Sequence, residues 1–250
     1  MLEKMIENAV KNYLKTTGAN AVNLKAVLFD MDGVLFNSMP NHAESWLKTM
    51  AQLGIVFSLE EAYMNEGRTG EATINIAFRR TFGRTATKDE AREIYQIKSD
   101  YFNRCPKATV MPGILAVLDK VKAAGLQLMI VTGTGQKSLL ESINEHFPGT
   151  FDRNLMITSN DVVNGKPDPE PYLMALQKGG YKPEETIVVE NAPLGVQSAH
   201  AAGIFTIAVN TGPLDDKILL DSGADILFPD MYSFEAQWDA LLAVLNHSRI

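Results

Sequence analysis

Ala26-Val27-Leu28-Phe29-Asp30-Met31-Asp32-Gly33-Val34 is the stretch on which the fold turns. Four apolar residues run without alternation, which suits a strand buried on both faces of a parallel sheet. Two carboxylates spaced two apart follow at once, and Gly33 lets the backbone turn where a Cβ would obstruct it. Alone, Asp-x-Asp-Gly also suits an ordinary turn or a calcium loop. The calcium-loop pattern needs further ligands and a closing Glu. Val34, Leu35 and Phe36 stand there instead.

Apolar runs of the same kind recur at 126–131, 155–157, 186–189, 204–209 and 226–228, and each predicts a strand. Helical patterns separate them, at about 114–124, 136–146, 169–179 and 194–202. Such alternation predicts βαβ units and a doubly wound parallel sheet of the α/β class. Sheets of this kind carry their sites at the carboxyl ends of the strands. Residues 40–108 break the alternation and read as helices at about 41–53, 59–65, 70–82 and 87–103. Met111-Pro112-Gly113 marks the return. The expected division is a discontinuous core, 1–38 and 109–250, with a helical cap inserted at 39–108. The cap is expected to open and close about linkers near 37–41 and 106–112.

Three further strand ends or loops carry chemistry. Thr132-Gly133-Thr134-Gly135 offers hydroxyls and freely oriented amides, suited to phosphate oxygens or to a plain N-cap. Gly165-Lys166-Pro167-Asp168-Pro169 fixes a lysine between Gly and Pro, a positioned cation rather than a solvated one. Val188-Val189-Glu190-Asn191 ends another apolar run with hard oxygen donors, which suit Mg²⁺ better than softer metals.

In this order the four stations resemble the haloacid dehalogenase superfamily, and within it the β-phosphoglucomutase-like branch, whose helical cap follows the first motif. The resemblance spans residues 25 to about 230. It implies a Rossmann-like core, with Asp30 as nucleophile and Asp32 as general acid/base. It further implies that Thr132 and Lys166 bind the transferred phosphoryl group. Mg²⁺ would be held by Asp30, the Asp32 carbonyl and Asn191, with Glu190 alongside. The dehalogenating branch lacks the second Asp and the pumping ATPases carry Thr there, so Asp32 favours phosphatase or phosphomutase chemistry. A free Asp titrates near about 3.9, so Asp32 would need surroundings that keep it protonated before transfer. Relatives carry two acidic residues where this chain has Glu190-Asn191. The Asn predicts weaker Mg²⁺ binding and less repulsion of a highly anionic substrate.

In the cap, the resemblance implies that His42 helps proton transfer near the hinge and that Lys98 accompanies it. Trp46 and Tyr63 read as packing residues. Glu66-Gly67-Arg68-Thr69-Gly70 sets Arg and Thr between glycines, a loop able to lean over the core. Arg68 could clamp a second phosphate by its planar fork, with Gly133 facing the substrate from the core. Glu66 could hold a polar leaving group or a cation on pyrophosphate. This loop, with Asn191, also resembles the inorganic pyrophosphatases of the superfamily. The expected function is Mg²⁺-dependent hydrolysis of pyrophosphate or a sugar phosphate through an aspartyl phosphate. A β-phosphoglucomutase and, further off, a non-catalytic binding module are the alternatives.

Composition sets outer bounds. The 250 residues carry 23 Lys and Arg against 30 Asp and Glu, a formal charge of −7. That balance excludes a broad attraction to nucleic acid or to an anionic membrane, so anion binding has to be local. Hydrophobic residues at 46% suffice for a sizeable core and argue against disorder. The single Cys105 rules out an internal disulfide or a Cys-rich zinc site and fits a reducing, cytoplasmic setting. Leu2, Met5, Ile6, Val10, Tyr13 and Leu14 recur at helical spacing, predicting a helix at about 2–16 that docks on its own domain or a subunit. Its mixed charges disfavour a membrane surface. The uncharged stretch 191–214 contains Pro193, Gly195, His200, Gly203 and Asn210, which disfavour a span. The expected partner is a small phosphorylated metabolite or pyrophosphate, bound by a monomer or weak homodimer.

Overall fold

A computed structural model describes residues 2–135 and 137–248. Five strands form a parallel sheet: β1 (Ala26–Phe29), β4 (Gln127–Ile130), β5 (Thr186–Glu190), β6 (Phe205–Val209) and β7 (Ile226–Phe228), in the order β4-β1-β5-β6-β7. β1 sits between β4 and β5, in register Phe29 to Ile130 and Phe29 to Val189. Its four residues are all buried and alternate between two cores. Val27 and Phe29 enter one core, with Ile187, Val189 and Phe205; Ala26 and Leu28 enter the other, with Val188 and Tyr172. A strand period of two thus feeds both faces, and helices must cover both.

Those helices are α6 (Ile114–Ala123), α7 (Lys137–His146), α8 (Glu170–Gly179), α9 (Pro193–Ala201), α10 (Asp216–Asp221) and α11 (Met231–His247), with α1 (Leu2–Thr17) at the start of the chain. Gly18, at φ 73°, ends α1 in a conformation that favours glycine. Ile6, Val10 and Leu14 are buried where α1 meets α11, each contributing about 1.5–3 kcal/mol by the usual transfer scale. The Tyr13 hydroxyl donates to the Gly203 carbonyl at 2.9 Å, and its ring meets Phe205 edge-on. The helix therefore docks on its own sheet unit. Among the described residues no helix is long and apolar enough to cross a membrane.

Between β2 (Phe36–Asn37) and β3 (Thr109–Val110) come α2 (Met39–Gln52), α3 (Leu59–Met64), α4 (Gly70–Phe82) and α5 (Lys88–Arg104). They share a separate core around Met50, Ile55, Ile74, Phe78 and Ile94. Thr87 and Glu90 form a reciprocal capping box that starts α5. β2 and β3 pair antiparallel, Phe36 with Val110, and tie together the two chain segments that enter and leave the helices.

One reading is corrected. The run 155–157 is not a strand: a 3-10 turn at Arg153–Leu155, capped by Asp152, precedes a single bridge from Ile157 to Val131. Leu155 is taken up in the turn, and the two apolar residues left after it are too few to extend a ladder. α10 and α11 were not expected. The polar spacing of α11 is blurred because it packs against α1, α6 and β7 together. The helix expected from 136 begins at Lys137, Gln136 lying outside the described residues.

Candidate active site

The carboxyl ends of β1, β4 and β5 converge beneath the α2–α5 unit. Asp30 and Asp32 follow β1, and both are buried. Lys166 arrives on the loop before α8, 1% exposed, with its ammonium 2.6 Å from Asp30 Oδ1, 2.6 Å from Glu190 Oε1 and 3.0 Å from the Val131 carbonyl. Burial alone would discharge this lysine, but the two carboxylates hold its pKa above the ordinary value. Burial raises the pKa of Asp30, Glu190 and Asp32 add to the rise, and Lys166 restrains it.

Glu190 is completed from behind. Its Oε1 also accepts the Tyr172 hydroxyl at 2.8 Å, and its Oε2 accepts the Asn191 and Ala192 amides. A Cβ on Gly195 would sit 1.8 Å from Oε1, so glycine there makes room for the carboxylate. Both Glu190 oxygens are thus engaged, and the carboxylate holds Lys166 in place. Tyr172 had no sequence signal beyond an apolar helix face.

Asp32 belongs to a second chain of contacts. Its Oδ1 accepts from Ser38 Oγ at 2.6 Å and from His42 Nε2 at 2.9 Å; His42 Nδ1 lies 2.7 Å from Lys98 Nζ. A carboxylate only accepts, so Nε2 carries the proton and Nδ1 takes one from Lys98. Burial raises the pKa of Asp32, but His42 and Ser38 outweigh it and the net shift is downward. Burial and Lys98 push His42 down, against the pull of Asp32. Lys98 is packed against the Trp46, Tyr95 and Phe102 rings, and burial lowers it to about 7. Ser38 stands where α2 would take an N-cap, but its hydroxyl goes to Asp32.

The α2–α5 unit presses on the sheet unit where glycines leave room. A Cβ on Gly133 would lie 2.1 Å from the Gly67 carbonyl oxygen, and one on Gly165 would lie 2.5 Å from Thr69. Glu66 is buried and accepts from Asn191 Nδ2 at 2.9 Å. Burial holds its pKa well above the usual carboxylate range, although that bond works the other way. Asn191 Oδ1 is buried with no partner among the described residues. Arg68, half-buried, donates through Nε to Asn65.

These groups enclose a cavity of about 50 Å³ that Asp30, Asp32, His42, Glu66, Arg68 and Lys98 line together. Gly133 and Thr134 form its core-side wall, whereas Thr132 turns its hydroxyl to the Thr134 amide at 3.0 Å. Trp46 lines the cavity as well as packing, unlike Tyr63, which is buried among Met39, Ala43 and Ala62. Sequence reasoning passed over Ser38, Asn65, Tyr95 and Tyr172. Ser38 carried a faint signal, as a polar residue near a recognised station.

A solved structure from Bacteroides vulgatus, provisionally named a beta-phosphoglucomutase, is 58% identical, with a TM-score of 0.95 over 98% of this chain and 100% of that one. The phosphorylated carbohydrates phosphatase of Thermotoga maritima is 30% identical over 80% of this chain and 92% of its own length. Hexitol phosphatase A of Escherichia coli is 31% identical over 74% and 83%. The family description "haloacid dehalogenase-like hydrolase" matches residues 27–209, from β1 to the end of β6. The chain belongs to the haloacid dehalogenase-like hydrolases.

Proposed function

We propose that the chain is a Mg²⁺-dependent phosphohydrolase acting on small phosphorylated carbohydrates or polyols. One observation carries the reading: a small cavity has an ammonium-paired carboxylate, Asp30, and a histidine-bound carboxylate, Asp32, on the same wall. Asp30 attacks phosphorus, the bond to the leaving oxygen breaks, and an aspartyl phosphate results. Lys166 offsets charge on the phosphoryl oxygens, so that a carboxylate can approach an anion. Asp32 moves the proton. An anionic phosphoryl group beside it would raise its pKa and ready it to protonate the leaving oxygen. Once deprotonated, with His42 holding it, it takes a proton from the water that attacks the aspartyl phosphate.

The residues present fit a hard dication. The unpartnered Asn191 Oδ1, the Asp30 carboxylate and the Asp32 carbonyl are oxygen donors of the type Mg²⁺ takes. When bound, the ion would supply positive charge beside the phosphoryl oxygens. Hydrolysis is favoured over isomerisation because the two curated relatives are named for phosphatase activity.

Pyrophosphate is a second reading, supported by cavity size. About 50 Å³ holds a few waters or a compact anion, and Arg68 stands ready for a second phosphate. A phosphate-release screen with Mg²⁺ over hexitol, hexose and glycerol phosphates and pyrophosphate tests both, with Asp30→Asn as control. Conversion of β-glucose 1-phosphate to the 6-phosphate without phosphate release would replace hydrolase by mutase. No turnover on the whole panel, with ligand binding that survives Asp30→Asn, would leave a binding module.

A further inference from the structure

The carboxyl ends of β4, β1, β5 and β6 form a row along the sheet. Gly133 lies beyond β4, Asp30 follows β1 and Asn191 follows β5, while Thr211-Gly212-Pro213-Leu214 lies beyond β6. The helical unit meets this row at Gly133 through Gly67 and at Asn191 through Glu66. It also meets it at the β6 loop, which the reaction above leaves unused. The Tyr63 ring lies over Gly212, where an added Cβ would be 3.5 Å away, in ordinary contact. Leu214 packs into the apolar cluster of Met39, Ala43, Ala62 and Tyr63, and among the described residues it is the one member from the sheet unit. The loop is firmly mounted. Asn210 Nδ2 donates to the Leu214 carbonyl at 2.8 Å and to Asp216 Oδ1 at 2.6 Å, and the Thr211 hydroxyl donates to the Gly33 carbonyl at 2.6 Å. Gly33 directly follows Asp32, so one loop holds the turn that carries the carboxylates and also holds the cap.

We propose that Leu214 is a positioning residue that seats Tyr63 and thereby aims Arg68 at the substrate, a reading that rests on the phosphohydrolase function above. Leu214 does not line the active-site cavity, whereas its neighbours Met39 and Ala62 do. Its effect passes along α3. Tyr63 stands in the last turn of that helix, and Asn65 ends it. Asn65 Nδ2 donates to the Glu61 carbonyl at 2.9 Å, and its Oδ1 accepts from Arg68 Nε at 3.1 Å. The Arg68 amide donates to the Asn65 carbonyl at 3.2 Å. With Nε engaged, the two terminal nitrogens of the guanidinium are left for a ligand. A seat under Tyr63 therefore fixes where that fork points. Without it, α3 has no apolar partner on the sheet unit, and the 65–68 segment loses its fixed height over Asp30.

The test measures kcat and KM on the substrate that the wild type turns over best in the panel above. Leu214→Ala is expected to raise KM about tenfold and to leave kcat within about twofold, the pattern of binding lost away from the reacting phosphorus. Leu214→Met, of similar volume, should restore most of the loss. Added to Arg68→Ala, Leu214→Ala should raise KM by less than about twofold further, because the group it positions is already gone. An unchanged KM in folded Leu214→Ala overturns the proposal, and so does the same tenfold rise on top of Arg68→Ala. Amide hydrogen exchange, which needs no turnover, keeps the two readings apart. Without ligand, Leu214→Ala should exchange faster over 61–68 and not over α5, and Leu214→Met should match the wild type. If the wild type releases phosphate from nothing, the proposed function falls, and the seat is then judged by exchange alone, where equal rates overturn it.

Discussion

Lys166 and Lys98 are 1% and 2% exposed, in the same site, and the protein treats them in opposite ways. Lys166, from the sheet unit, lies between the Asp30 and Glu190 carboxylates, and its pKa is held above the ordinary value. Lys98, from the helical unit, is surrounded by three aromatic rings and a histidine nitrogen, and burial lowers it to about 7. The sheet end is a fixed electrostatic frame whose charges compensate one another. The helical unit contributes groups whose charged forms burial disfavours. Glu66, pushed up by burial, is the acidic counterpart of Lys98. The difference teaches that the charge for phosphoryl transfer is built into the sheet, and that the cap supplies a setting that proton and substrate can change.

The largest expected effect tests the sheet frame. Asp30→Asn should cut phosphate release by about 10³-fold or more, the scale of losing a covalent nucleophile. Lys166 keeps Glu190, so the thermal midpoint should scarcely move. A variant with more than a tenth of wild-type turnover would remove Asp30 from the chemistry.

Next comes stability. Lys166→Met strands two buried carboxylates and should cost about 3–5 kcal/mol in urea unfolding. Lys98→Met removes a buried cation with no carboxylate in direct contact, and should be neutral or stabilising near pH 6. Equal losses from the two variants would break the comparison.

The sign of the pH effect follows from Lys98. Its folded pKa lies below its unfolded one, so between about pH 7 and 10 the unfolded chain binds more protons, and stability rises with pH across that window. Below pH 7 both states are charged and the burial cost is fully present, on the order of 5 kcal/mol. Urea titrations from pH 6 to 10 should show the rise in the wild type and not in Lys98→Met. Because Lys98 donates to His42, the same variant should lower kcat more than it alters KM.

The sheet half of this comparison was more legible in the sequence than the cap half, for a physical reason. Asp30, Asp32, Lys166 and Asn191 interrupt or follow apolar runs at places a parallel sheet must bring together. Asp30, Asp32 and Asn191 are conspicuous as polar residues where a strand ends, and Lys166 as a lysine held between Gly and Pro. Tyr172 is invisible on that logic. It sits on the apolar face of a helix, and only the fold brings its hydroxyl to a carboxylate 18 residues away. Nor does anything local reveal that two backbone amides and Tyr172 bond the Glu190 carboxylate. α11 was missed because a helix touched on several sides loses the single apolar stripe that marks an amphipathic one.

Cap contact comes next in size. Gly133→Ala places a Cβ against the Gly67 carbonyl, so the two units cannot approach fully. A loss of about tenfold in kcat/KM is expected, the scale of a modest mispositioning, with unfolding stability nearly unchanged. Solution scattering on the variant should show a more open particle. If activity is intact, closure through the 66–70 loop is not part of the reaction.

The smallest effect lies where the two regions touch. Asn191 donates through Nδ2 to Glu66 and leaves Oδ1 unpartnered, so its amide serves the cap with one atom and leaves an oxygen for a cation with the other. Asn191→Asp keeps the oxygen and replaces the donor by a second acceptor, facing a carboxylate 2.9 Å from the replaced atom. Mg²⁺ should bind more tightly by calorimetry, by about three- to tenfold, since a charged oxygen replaces a neutral one near the ion. The preference for pyrophosphate over monophosphates should fall by a similar factor, because a fixed negative charge opposes the more anionic substrate. Cap closure should weaken as well, and Glu66→Gln added to Asn191→Asp should restore it, because the Gln amide can donate where the Asn amide did. Should the single variant alter neither Mg²⁺ affinity nor substrate preference, the amide at this position serves only to hold Glu66. The boundary between frame and cap would then be drawn by that one hydrogen bond rather than by the charge on the metal.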